Sequence, residues 1–193
     1  IPYLRKSLEI VKNVFIENGA QFTYKIICDD YILNKPENQV YDISVINPPY
    51  FKYSARESKY SKATSDLFKG DPNIYASFMA VTLNSIKPGG QMISISPRSF
   101  TNGLYFKGFR TYILNNASLD LIHIFKSRNK LFNDGNSKVL QENIICRFTK
   151  DIGIKEISIV SSESQLNIPM SNRQVYPKEF IISKTDELKL IRI

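Results

Sequence analysis

The sequence is poor in the side chains on which much enzyme chemistry rests. Among 193 residues there is one histidine, and there are two cysteines. His123 lies in the apolar run Leu121-Ile122-His123-Ile124-Phe125 and reads as a packed core or sheet-edge histidine. A lone imidazole cannot build a histidine-rich metal site, and a serine–histidine pair is not easily made from it. Cys28 and Cys146 both sit in apolar, strand-like runs. That is the pattern of buried, reduced thiols in an intracellular chain, not of a disulfide or a metal site. No apolar run is long enough to span a bilayer, and Ile1-Pro2-Tyr3 carries no signal-peptide pattern. A cytoplasmic protein is expected. The initiator methionine is missing too, as expected for a piece of a longer chain. There is no internal repeat and no low-complexity tract.

What is present is enough for one domain with a sizeable core. The net charge of +8 suits a polyanionic partner. Leu4, Leu8, Val11 and Phe15 recur at helical spacing, with Gly19 as a stop, so residues 3–18 read as an amphipathic helix. Residues 25–28 read as a short strand, 34–39 as a polar turn containing Pro36, and Tyr41–Ile46 as a second strand. Residues 51–72 read as a basic loop with Lys52, Arg56, Lys59, Lys62 and Lys69. Tyr53 and Tyr60 are interleaved with these cations, as in surfaces that contact nucleic acid. A helix is expected over 73–87, with Ile74, Phe78, Val81 and Ser85 on one face and Pro88-Gly89-Gly90 breaking it. That glycine pair lacks the spacing of a phosphate cradle. A strand over 91–96, a helix over 104–114 and strands over Ser118–Phe125 and Asn143–Thr149 follow. Beyond Lys150 the pattern weakens to a strand over 156–160, an irregular stretch over 161–176 and a helix over 186–193. Alternating strands and helices give an α/β sheet, with room for an antiparallel hairpin at its end.

The stretch Val45-Ile46-Asn47-Pro48-Pro49-Tyr50 organises the rest. Its apolar, β-branched start reads as a buried parallel strand. Pro48 and Pro49 lack N–H groups and fix φ, and each holds the residue before it extended. Asn47 and Tyr50 are thus presented at the carboxyl end of a strand, where open α/β sheets bind ligands. The chemistry that suits this arrangement is attack by a weak, amide-like nitrogen. The Asn47 side-chain oxygen and the Pro48 carbonyl are two fixed acceptors for the hydrogens of a base's exocyclic amine. Held by both, the amine turns its lone pair out of the ring plane, while Tyr50 stacks on the base through its ring and not its hydroxyl. These are positioning and electrostatic effects that need no ionisable nucleophile.

Further stretches occur in order around this motif: Asp29-Asp30-Tyr31-Ile32-Leu33, Asn73-Ile74-Tyr75-Ala76-Ser77-Phe78, Lys87-Pro88-Gly89-Gly90 running on to Ser96-Pro97, and Asn129-Lys130-Leu131-Phe132. With them the chain resembles the adenine-specific (N6) DNA methyltransferases of restriction-modification systems, in the TaqI-like group, over roughly residues 20–150. The resemblance implies a partial Rossmann-like α/β sheet of the S-adenosylmethionine-dependent kind, with an antiparallel C-terminal hairpin and then the start of a second region. It implies S-adenosylmethionine as cofactor and double-stranded DNA as partner, with a restriction endonuclease fused or separate. Asn47, Pro48, Pro49 and Tyr50 would be the catalytic motif. Asp30 would hold the cofactor's adenine amine, with Tyr31 and Phe78 against its ring. Tyr50 and Phe132 would sandwich a target base turned out of the duplex. For Phe78 and Phe132 simple core packing is the competing reading.

One departure stands out. The family's Gly-rich loop for the methionine end of the cofactor, and the acidic residue that follows it, have no counterpart in this sequence. The resemblance therefore implies that residues 1–150 are the C-terminal part of a catalytic domain, inactive by themselves. Residues 151–193 would lead into a target-recognition or accessory region. It further implies an apolar surface left open where strands should lie between 25–28 and Tyr41–Ile46. Two other readings keep the motif: a methyltransferase acting on protein glutamine, and a non-catalytic DNA-binding or assembly module. The 51–72 loop, Ser96-Pro97-Arg98-Ser99-Phe100 and Phe132 favour DNA over protein.

Overall fold

The computed structural model describes residues 1–51, 58–70, 73–126, 142–162 and 172–193. It divides into two units, Ile1–Asp30 and Tyr31–Ile193. In the first, helix α1 (Pro2–Glu17) opens on a proline, whose missing N–H costs nothing in the first turn, and stops before Gly19, which takes φ +71°. None of its residues is buried. Thirty residues do not supply enough side chains to cover an amphipathic stripe. The strand expected at 25–28 is not formed, and Cys28 is exposed where a buried thiol was expected. An extended run becomes a strand only when a neighbour takes its backbone hydrogen bonds.

The second unit is built on a six-stranded mixed sheet. Its strands are β1 (Tyr41–Ile46), β2 (Ile86–Pro97), β3 (Ser118–Phe125), β4 (Asn143–Thr149), β5 (Glu156–Ser162) and β6 (Gln174–Pro177), in the order β1-β2-β4-β3-β5-β6. β1 pairs parallel with β2, β4 lies antiparallel between β2 and β3, and β5 runs parallel to β3. The expected antiparallel hairpin is therefore β3–β4. Residues from β5 and beyond share the central core, since Ile157, Ile181, Ile182 and Ile191 pack with Phe148 and Ile122.

Between β1 and β2 come the short helix α2 (Lys59–Thr64) and helix α3 (Ile74–Ser85). Helix α4 (Lys107–Asn116) links β2 to β3, and α5 (Lys178–Ile181) follows β6. Helix α2 replaces part of the expected loop: Ser58 caps it through a bond from the Tyr60 N–H. Helix α3 is buried on nearly every side, a broader burial than the single apolar face expected; only Phe78 and Asn84 remain partly open. It ends at Ser85 because β2 already begins at Ile86, so the glycine pair sits inside the strand's entry and not at the helix stop. Gly89 takes φ +77°, and a Cβ on Gly90 would lie 2.6 Å from the Asp42 carbonyl oxygen. Only glycine lets β1 and β2 approach so closely there. Lys150, just after β4, donates to the carbonyls of Leu83, Asn84 and Ile86 and so closes the carboxyl end of α3.

His123 is a core residue, as expected: it is 4% exposed and its Nε2 lies 2.7 Å from Ser162 Oγ. Burial lowers its pKa. The expected 186–193 helix is absent. Asp186 accepts bonds from the Leu188 and Leu190 amides, Lys189 takes φ +51°, and the Ile191 amide donates to Thr101. Side-chain bonding and outside partners win over local helix propensity here.

Arg110 on α4 is fully buried and fastens this tail. It donates to the carbonyls of Phe100, Gly103 and Leu188. Removing the guanidinium strands three acceptors, one buried and two part-buried, at about 1–3 kcal/mol for a buried one and less for the others. Arg110→Met is expected to lower the unfolding free energy by about 3 kcal/mol or more and to expose 186–193 to protease. A urea midpoint equal to that of the parent chain would show that the tail is held by packing alone.

Candidate active site at the carboxyl end of strand β1

Among the described residues β1 has one ladder neighbour, β2, with Val45 opposite Ile93 and Ile46 opposite Ser94. The strand is parallel as expected but is not buried. Ile43 is 64% and Val45 74% exposed, because the edge strand has no cover on its outward face among the described residues. The apolar surface expected to lie open is therefore present on β1. Ile46 turns inward and packs against the core.

The chain then leaves the sheet through Asn47, which is exposed, and Pro48, which is buried. Tyr50 is half-buried and packs edge-on to Tyr75 of α3, with ring centres 6.3 Å apart. The Tyr75 hydroxyl is itself 3.1 Å from Ser99 Oγ. The Tyr50 hydroxyl lies 3.1 Å from Asn47 Oδ1 and 3.0 Å from the Ile95 carbonyl oxygen, so it spans from the motif back to β2. Burial pushes its pKa up to about 12. Among the described residues nothing donates to the Pro48 carbonyl.

On the near side of β1 a cavity of about 530 Å³ is lined by Tyr31, Tyr41, the 43–48 run and Phe78. Four of the residues singled out from sequence, Tyr31, Asn47, Pro48 and Phe78, thus border one space. Phe78 is one of the two partly open positions on α3, and it borders this cavity. Tyr31 and Phe78 stack with centres 5.3 Å apart and planes 18° from parallel. A third ring between them would need two stacking gaps of about 3.5 Å each, so a planar ligand fits against the pair and not inside it. Thr82 holds the Tyr31 hydroxyl at 3.0 Å. Burial raises the pKa of that phenol.

Asp30 is the last residue of the first unit, and its amide donates to Asp29 Oδ1 at 2.8 Å. Phe132, Lys52, Tyr53 and Arg56 lie outside the described residues. Within the former loop Lys59, Lys62 and Lys69 are exposed, and the Lys59 ammonium sits 5.1 Å above the Tyr60 ring. Sequence reasoning missed Tyr41, Thr82 and the Ile95 carbonyl. The first two carry no motif, and the third becomes visible only once the β1–β2 register is known.

A family model described as Eco57I restriction-modification methylase matches residues 5–132. The type II methyltransferase M.BsuBI of Bacillus subtilis is 33% identical over 202 aligned residues, covering 100% of this chain and 39% of the relative. The type II methyltransferase M.PstI of Providencia stuartii is 34% identical over 167 residues, covering 83% and 32%. The chain thus spans less than two-fifths of the length of these curated relatives. Among solved structures, a Listeria monocytogenes protein described as a class I S-adenosylmethionine-dependent methyltransferase superposes with a TM-score of 0.54 at 19% identity, over 70% of this chain and 41% of that one. The fold is that of part of a Rossmann-like α/β methyltransferase sheet.

The raised pKa of Tyr50 has a measurable sign. An unfolded phenol ionises near 10, whereas the folded one holds its proton to about 12. The stabilisation this gives is complete below pH 10 and is lost as pH rises toward 12. In an ultraviolet tyrosinate titration Tyr50 should form part of a late phase, and Tyr50→Phe should diminish that phase while leaving the early one. An unchanged late phase would place the Tyr50 hydroxyl in water.

Proposed function

Because the chain belongs to the Eco57I restriction-modification methylase family, we propose that the whole protein is a site-specific adenine-N6 DNA methyltransferase of a restriction-modification system. The observation that carries this reading is the shared cavity: Asn47 and Pro48 border the same space as the Tyr31–Phe78 ring pair. One end suits a base amine and the other an adenine ring.

The cavity suits the adenine end of S-adenosylmethionine, whose ring Tyr31 and Phe78 would hold; the family resemblance gives Asp30 the role of accepting from its amine. When bound, this cofactor would supply an electrophilic methyl group on a sulfonium, whose carbon–sulfur bond breaks as the methyl is transferred and which leaves as the neutral thioether. The chain's own residues then act on the target base. Asn47 Oδ1 and the Pro48 carbonyl accept the two hydrogens of the adenine amine, which draws the nitrogen's lone pair out of conjugation and aims it at the methyl carbon. Neither residue takes the proton, so water receives it after transfer. Tyr50 stacks on the base, with Phe132 as its partner on the opposite side. The buried Pro48 and the stiff dipeptide fix the Pro48 carbonyl and the Asn47 main chain before substrate arrives, so less reorganisation is left for the reaction.

The substrate is double-stranded DNA. The net charge of +8 and the exposed Lys59, Lys62 and Lys69, which follow the motif in sequence, support contact with its backbone. Residues 151–193 add β5 and β6 to the sheet and would lead on to a target-recognition or accessory region, and the natural counterpart would be a restriction endonuclease, fused or separate.

In the full-length protein Asn47→Ala is expected to abolish methylation while cofactor binding persists. Loss of one acceptor aimed at the developing charge costs about 2.7–4 kcal/mol in the barrier, or roughly 10²–10³ in turnover. Near-normal transfer of labelled methyl to plasmid DNA would sink the assignment. Tyr50→Ala and Phe132→Ala should each lose a stack worth about 1–3 kcal/mol. A fluorescent adenine analogue at the target position should then brighten less on binding. An unchanged signal in Phe132→Ala would leave Phe132 as a packing residue.

A further inference from the structure

The Tyr50 hydroxyl has two neighbours and one proton. Read with its oxygen toward the phenol, Asn47 offers Oδ1 at 3.1 Å, and Ile95 offers a carbonyl oxygen at 3.0 Å. Both are then acceptors, and a phenol donates only once. The Ile95 carbonyl is fixed in β2 and can only accept. Asn47 is different: its oxygen and nitrogen are nearly the same size, and the hydrogen-bond network alone decides which end faces which way. In the orientation just described, Asn47 Nδ2 also meets no acceptor among the described residues.

We propose that Tyr50 is a positioning residue that selects the end of the Asn47 carboxamide presented to the substrate. The phenol gives its proton to the Ile95 carbonyl and accepts a hydrogen bond from Asn47 Nδ2. The amide is thereby turned so that Oδ1 faces away from the tyrosine and toward the arriving amine. The competition for one proton disappears, and each polar group has a complementary partner. With the opposite orientation Nδ2 would meet the amine, and its N–H would bind the lone pair that has to attack. Burial keeps the phenol protonated through the working pH range, so the arrangement does not switch. The register of β1 on β2 matters for the same reason, because it is β2 that supplies the acceptor for Tyr50.

This inference rests on the methyltransferase reading, and its test separates the two. In the full-length protein, Tyr50→Phe keeps the stacking ring and loses the selector. The kcat for methyl transfer should fall roughly three- to tenfold, the scale of one net hydrogen bond, with KM for DNA and the flipped-base signal little changed. In an Asn47→Asp background the carboxylate offers an oxygen whichever way it turns, so the added effect of Tyr50→Phe should shrink to less than about twofold. An equal penalty in both backgrounds would overturn the proposal, as would no penalty in either. If Asn47→Asp proves inactive, a neutron structure of the deuterated full-length protein decides. Two deuterons on the Asn47 atom facing Tyr50 Oη support the proposal, and a bare oxygen there overturns it. Failure of the parent full-length protein to transfer labelled methyl to DNA would defeat the methyltransferase reading itself, an outcome distinct from a bare oxygen facing Tyr50 in a protein that methylates DNA.

Discussion

The parallel pairing of β1 with β2 is the constraint on which the site depends. Among the described residues β1 has no other ladder neighbour, so this ladder fixes where the strand ends and in which direction Asn47 leaves it. The ladder is close because Gly90 has no Cβ to press on the Asp42 carbonyl. It is extended beyond the last strand residue by the reach of Tyr50 to Ile95. Between those two fastenings lie the two prolines, which let the backbone turn in few ways. A rigid exit from the sheet therefore results from one missing side chain, two rings that restrict φ and one phenol.

α3 works from the other side. Its near-complete burial leaves it few ways to shift, and Lys150 holds its last carbonyls to the end of β4. Phe78 and Tyr75 project from it toward the cavity and toward Tyr50, so the helix sets the spacing between the ring pair and the motif. The arrangement is preorganised in the sense that the sheet and the core fix the groups, and no loop has to be ordered to bring Asn47, Pro48, Tyr31 and Phe78 around one space.

Much of this was legible in the sequence, for identifiable reasons. Tyr41–Ile46, Ser118–Phe125 and Asn143–Thr149 are runs of β-branched and apolar residues bounded by turn formers, and those signals are local. The motif could be placed at a strand's end because two prolines cannot continue a strand. Other features depend on what a segment meets. Residues 25–28 look like a strand but have no ladder, whereas β6, inside a polar stretch, is a strand because β5 is there to pair with it. The tail has helical spacing, but Asp186, Arg110 and Thr101 claim its backbone groups. The exposure of Ile43 and Val45 follows from an edge position that residue type alone cannot reveal. The Tyr50 ring was readable as a stacking surface, whereas the partner of its hydroxyl required the register of a strand some 45 residues on.

The formal charge of the chain overstates what an anionic partner meets. Of its 26 lysines and arginines, Arg110 spends its guanidinium on three main-chain carbonyls, and Lys150 spends its ammonium on three more. Such cations neutralise no phosphate and release no counterion, although they enter every sum of charge. The dependence of polyanion affinity on salt concentration counts only the ion pairs formed at the surface. Its slope should therefore be read against exposed lysines such as Lys59, Lys62 and Lys69 and not against the total of +8.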